Sequence, residues 1–149
     1  MSAADAGARI LLTLWVGGVW VVGFVAVPLL FDRLGDRVLA GDLAGILFAV
    51  VHAIGGLYGV VAVLQGWLGG RFPSRVRDGL VLAALLLIGV EQLVLAPQIA
   101  ELRHQSPPAT GTEAFARLHG MASTLYLIEA LIGLGLVVLP DREVNGSRS

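Results

Sequence analysis

Four ionisable side chains lie within long apolar stretches of the sequence: His52, Glu91, His119 and Glu129. Placing an ionisable group in hydrocarbon costs about 2.5 kcal/mol or more, so residues of this kind inside a membrane span mark a candidate functional site. No arginine or lysine lies in the same stretches. The two glutamates therefore need a proton, a histidine or a bound cation to offset their charge.

The composition indicates that these stretches belong in a lipid bilayer. The chain has 149 residues, of which 56% are hydrophobic and 14% charged, and its mean hydropathy is +0.84. Soluble domains carry about 25% charged residues. The net charge of −1 leaves no basic surface for nucleic acid, and the absence of cysteine excludes disulfides and thiolate zinc sites. The lipid bilayer is the expected partner.

Four apolar stretches are long enough to cross a membrane, which takes roughly 20 residues. They cover about residues 10–31, 43–68, 80–100 and 118–139. Strands are not expected, because the runs are long and lack alternation. The sequence predicts an all-α integral membrane four-helix bundle, with one transmembrane domain over residues 1–149 and a polar tail at 140–149.

The arginines predict the orientation of these spans. Arg71, Arg75 and Arg77 lie in the short link between the second and third spans, and loops rich in arginine stay on the cytoplasmic side. With four spans, both termini share that side. We expect a multi-pass protein of the cell (inner) membrane with both termini in the cytoplasm.

Two similar segments suggest an internal repeat. FAVVHAIG surrounds His52 and FARLHGMA surrounds His119, while Pro28 and Pro97 lie near the ends of the first and third spans. Proline ends or kinks a helix. The pattern predicts a tandem repeat of two helical hairpins, in which the two histidines occupy matching positions.

Helical spacing predicts which faces turn inward. His52 shares a face with Gly55 and Gly59, and small residues of this kind let another helix backbone approach closely. The polar stripe expected on the fourth span consists of His119, Ser123, Tyr126 and Glu129. The stripe expected on the third span consists of Ile88, Glu91, Leu95 and Gln98. Together they predict a polar strip from the outer surface to the middle of the membrane.

Three long motifs carry a family resemblance. LWVGGVWVVGFVAVPLLFDRL, LAGDLAGILFAVV and FARLHGMASTLYLIEALIGLGLVV resemble the bacterial domain-of-unknown-function family related to animal transmembrane protein 205. The family pattern includes the Pro28–Phe31 segment, the Ala40–Gly41 pair and the Phe115 to His119 spacing, but not His52. The resemblance implies a four-helix membrane protein without an agreed activity. The link of its animal relatives to platinum-drug tolerance points loosely to metals or export.

Three functions remain open from the sequence. The first is a membrane protein that binds or passes a proton, metal ion or small cation through His52, His119, Glu91 and Glu129. We do not expect it to be an enzyme. The second is a haem-binding redox protein with His52 and His119 as axial ligands. The third is a structural or assembly partner, either in a homo-oligomer or with another membrane protein.

Overall fold

The computed structural model of the protein describes residues 3–69 and 75–139, which form four long helices. Helix α1 covers Ala3–Arg33, α2 covers Arg37–Gly69, α3 begins at Arg75 and ends at His104, and α4 covers Glu113–Val138. All four are long and apolar enough to cross a membrane. The predicted all-α four-helix membrane bundle is therefore confirmed. The predicted polar tail at 140–149, and Arg71 of the orientation signal, lie outside the described residues.

Each helix packs against the helix that follows it, and α1 also packs against α4, which closes the bundle. The links at 34–36 and 105–112 are short, so the helices they join run antiparallel. Trp15, Val19, Tyr58, Ile88 and Leu136 form part of the buried core. Large apolar side chains also cover the outside of the bundle, as contact with lipid requires.

Helices α2 and α4 begin with capping side chains. Asp36 Oδ1 accepts hydrogen bonds from the backbone N–H groups of Val38 and Leu39, at 2.8 and 3.2 Å. Thr112 Oγ1 accepts from the Phe115 N–H at 3.3 Å. These caps satisfy N–H groups that have no partner inside the helix. They explain why both helices start several residues before the apolar runs predicted at residues 43 and 118.

Helices α1 and α3 each contain a π-helical turn just before their proline. The turns are Val22–Ala26, before Pro28, and Glu91–Leu95, before Pro97. Both helices continue beyond the proline, so of the two effects predicted from the sequence, an end or a kink, the prolines do not end their helices. The two turns are 69 residues apart (91 − 22), as are the two prolines (97 − 28). This shared feature supports a relation between the two hairpins.

The histidines of the two similar segments, FAVVHAIG and FARLHGMA, have different environments. His52 is 2% exposed in the centre of the bundle, whereas His119 is exposed on α4 and stacks on Phe115 with ring centroids 5.9 Å apart. The α4 side chain that contacts the π turn of α1 is Tyr126. His52 of α2 contacts the π turn of α3. Tyr126, and not His119, is therefore the residue of α4 that corresponds to His52.

Candidate functional site

Three ionisable side chains from three helices meet in the middle of the bundle. His52 Nε2 lies 3.0 Å from Glu129 Oε2 and 3.5 Å from Glu91 Oε2. The exposed fractions are 2% for His52, 6% for Glu91 and 0% for Glu129. One potential ligand atom from each residue lies within 4.8 Å of the other two. These residues are called the His–Glu–Glu cluster below.

The cluster contains polar atoms without hydrogen-bond partners among the described residues. They are His52 Nε2, Glu91 Oε1 and Glu129 Oε2, all of them buried. The short distance between His52 Nε2 and Glu129 Oε2 is thus a close contact that lacks hydrogen-bond geometry. Buried polar atoms in native proteins are nearly always satisfied by a partner. Three such atoms in one cluster, of which His52 Nε2 and Glu129 Oε2 lie 3.0 Å apart, indicate a place for a ligand.

Trp15 of α1 holds one of the carboxylates. Its indole Nε1–H donates to Glu129 Oε1 at 3.0 Å, and the side chain is fully buried. A Cβ at position 55 would collide with the indole Nε1. Gly55 therefore makes room for a side chain, and not for the helix backbone that the sequence predicted. Gly59 does the same for the side chain of Leu85.

The π turn of α3 supplies two successive residues to His52. Glu91 approaches Nε2, and the amide Nε2 of Gln92 lies 2.6 Å from His52 Nδ1. Both ring nitrogens of one imidazole are thus contacted from the same turn of helix. π turns within α-helices occur frequently at functional sites.

Two aromatic rings also pack near the imidazole. The ring of Tyr126 lies edge-on to His52 with centroids 6.0 Å apart, and the ring of Phe48 stacks on His52 at 6.4 Å. Phe48 and Tyr126 also contact each other at 4.9 Å. The polar atoms of the cluster are therefore enclosed by apolar surface, which strengthens every electrostatic interaction among them.

His119 does not reach the cluster. It precedes Glu129 by ten residues on α4 (129 − 119), a separation of about 15 Å along the axis and about 80° short of three full turns. Ser123 and Gln98 are exposed as well. The inner half of the predicted polar strip exists, and the outer half points away from the bundle interior. A haem iron held by His52 and His119 together finds no support in this arrangement.

Two residues of the site were not singled out from the sequence. Trp15 lies in the middle of α1, whereas tryptophans in membrane proteins favour the interfaces, and a buried indole N–H needs an acceptor. The position of Trp15 in the middle of the helix was the sequence signal that could have identified it as a site residue. Gln92 adjoins Glu91 in the sequence, but only the π turn brings both residues to one imidazole.

The fold and the site define a four-helix integral membrane protein with a buried His–Glu–Glu cluster. The chain belongs to the family described as Domain of unknown function (DUF4149), whose match covers residues 10–108. That match includes His52, Glu91 and Gln92 and stops before α4. No curated protein and no solved structure gives a significant match. The relation to animal transmembrane protein 205 stays a prediction of the resemblance.

Proposed function

We propose that this protein binds a cation at the His–Glu–Glu cluster, and that a proton, a metal ion or a small cation enters or crosses the membrane region through this site. The observation that carries the proposal is the convergence of three buried ionisable side chains from three helices. His52 Nε2 lies 3.0 Å from Glu129 Oε2 and 3.5 Å from Glu91 Oε2, and each of the three residues has one buried polar atom without a hydrogen-bond partner among the described residues. Intramembrane ionisable groups are by default candidates for ion or proton pathways.

Charge balance supports the same conclusion. With a neutral imidazole and two ionised carboxylates the cluster carries a charge of −2, and with a protonated imidazole it carries −1. Uncompensated charge in a low-dielectric interior costs several kcal/mol per ion. The arginines of the four helices lie toward the helix ends. Protons or one divalent cation would each bring the cluster to neutrality.

The test is cation binding and flux in proteoliposomes of defined composition. Changing Glu91→Gln and Glu129→Gln together removes both negative charges and is expected to abolish uptake and binding. The matched control is Glu101→Gln with Glu113→Gln, because these acids are exposed on the same two helices. Equal binding and flux in the two double variants would overturn the proposal.

The proposal includes a location in the cell (inner) membrane with both termini in the cytoplasm. Arg71, between α2 and α3, and Arg75 and Arg77, at the start of α3, support it through the positive-inside rule. Reporter fusions at each terminus and at residue 109, in the link between α3 and α4, measure this directly. A cytoplasmic signal from residue 109 would reverse the orientation.

A second proposal is a structural role, either in a homo-oligomer or with another membrane protein. It is supported by glycines of α2 that face away from the bundle: Gly45 and Gly56 have no atom within 4 Å of the position that a Cβ would take. Such surfaces allow close packing of a neighbouring helix. The chain lacks cysteine, so Gly45→Cys provides a unique crosslinking position. A chain that stays monomeric in membranes would exclude the homo-oligomer, and the absence of any crosslink from position 45 to another membrane protein would argue against the partner role.

A further inference from the structure

We infer that the cation is a divalent first-row transition metal ion of the Zn²⁺ or Fe²⁺ type. We also infer that Gln92 is the positioning residue whose amide oxygen, once turned toward Nδ1, frees His52 Nε2 to bind the ion. This inference rests on the proposed function, and it names the class of ion that the same site takes.

The types of donor atom select the class of ion. The cluster offers one imidazole nitrogen and two carboxylates. Imidazole suits zinc, iron, copper and nickel, whereas Ca²⁺ takes six to eight oxygen ligands and Mg²⁺ keeps several waters in an octahedral shell. Three protein ligands with an open position are typical of zinc sites that bind a further small ligand. A buried cluster with three donors supplies too few oxygens for Ca²⁺.

The spacing of the donor atoms also fits. Zn–N and Zn–O bonds are about 2.0–2.1 Å long in tetrahedral sites, which puts neighbouring ligand atoms about 3.3 Å apart. His52 Nε2 lies 3.0 Å from Glu129 Oε2 and 3.5 Å from Glu91 Oε2. A metal ion could therefore enter with small movements of the carboxylates. The Trp15 indole already fixes the other oxygen of Glu129 at 3.0 Å.

Gln92 is placed to set which nitrogen of His52 carries the proton. The amide nitrogen of Gln92 faces His52 Nδ1 at 2.6 Å, an arrangement in which Nδ1 accepts and the ring proton is on Nε2. A metal ion at Nε2 requires the other tautomer, with the proton on Nδ1. A half-turn of the Gln92 amide presents its oxygen to that proton. Ligating histidines usually donate their second N–H to an acceptor of this kind.

The experiment is a Co²⁺ titration of the purified full-length protein after removal of bound metal, followed by visible absorption. We expect one Co²⁺ per chain, displaced by Zn²⁺ and not by a large excess of Ca²⁺, Mg²⁺ or Na⁺. Displacement by Ca²⁺ or Mg²⁺ as effective as that by Zn²⁺ would overturn the inference and leave the proposed function standing. If Glu91→Gln with Glu129→Gln changes no cation binding at all, the proposed function itself fails.

Histidine variants identify which imidazole binds the metal ion. The chain has three histidines, and His104 and His119 are both exposed. His104→Gln with His119→Gln is expected to keep the Co²⁺ spectrum, and His52→Gln to lose it. Loss of the spectrum in the double variant would overturn the assignment.

The role of Gln92 has its own test, which does not depend on removing a ligand. Gln92→Leu is expected to weaken Co²⁺ binding about 10- to 100-fold, the usual effect of losing such a supporting group. Gln92→Glu is expected to restore it, because a carboxylate accepts the Nδ1 proton. Circular dichroism checks that both variants are folded. Unchanged affinity in folded Gln92→Leu, or no rescue in Gln92→Glu, would overturn the role.

Discussion

The Tyr126 hydroxyl of α4 donates a hydrogen bond to the backbone carbonyl of Val19 on α1, over 2.6 Å. The Tyr126 ring also contacts Gly23, four residues after Val19, where an added Cβ would overlap it. In a regular α-helix the Val19 carbonyl would accept a hydrogen bond from the Gly23 N–H. The hydroxyl therefore occupies a gap in the α1 ladder at the π turn Val22–Ala26, which is a recognised cause of local helix distortion.

Tyr126→Phe removes this link between α1 and α4. We expect the free energy of unfolding to fall by about 1 kcal/mol, because the variant loses a hydrogen bond inside the membrane region. Gly23→Ala should cost more, about 1–3 kcal/mol, since the added methyl group would overlap the Tyr126 ring and overpack the contact. Reversible unfolding in mixed detergent micelles measures both values. A neutral Gly23→Ala would contradict the close contact.

Adjacent glycines of α2 provide a matched pair for the contact with Trp15. Gly55→Ala should push the indole away from Glu129 and lower both stability and cation affinity, because its Cβ would meet the indole Nε1. Gly56→Ala has open space around it. It should be neutral or slightly stabilising, since alanine favours helix by about 1 kcal/mol over glycine. Thermal unfolding and metal titration of the two variants test this contrast, and equal effects would refute it.

Trp15 should report on occupation of the site. Trp20→Phe and Trp67→Phe leave it as the sole tryptophan, because the chain has three. Its indole bonds to Glu129, so a bound Co²⁺ would lie within a few ångströms of the ring. We expect saturable quenching of its fluorescence at one Co²⁺ per chain, with a blue-shifted emission from a fully buried side chain. The same protein with Glu91→Gln and Glu129→Gln should show no saturable quenching.

A salt bridge fastens the ends of α2 and α3. Asp42 Oδ1 lies 2.7 Å from Arg103 Nη1 and 3.1 Å from His104 Nε2, and the Arg103 side chain is only 12% exposed. Asp42→Asn should speed amide hydrogen exchange several-fold in the last turns of α3, because a shielded pair is lost. The control is Asp32→Asn, whose partner Arg33 is 76% exposed, and exposed pairs contribute little. Similar exchange rates in both variants would argue against a fastening role.

The sequence was sufficient to predict the helices and the buried acids. A run of about 20 apolar residues has few alternatives to a membrane helix, because every backbone polar group must be satisfied within the segment. Glu91 and Glu129 stood out for the same reason, since an isolated acid in such a run needs a partner. His52 was identified from its similarity to the segment around His119, and that similarity did not extend to its environment.

The tertiary structure determined which of the predicted polar residues meet in the buried site. Local spacing put His119 and Glu129 on one stripe, but ten residues of helix leave about 80° of rotation between them, enough to turn one side chain outward. The π turns of α1 and α3 change the helical phase again, and each is contacted by a side chain from another helix: Tyr126 for α1 and His52 for α3. The hydropathy of consecutive residues is a local property of the sequence, and it determines that membrane helices form. Packing between helices determines which side chains meet, because it depends on residues more than 30 positions apart in the sequence.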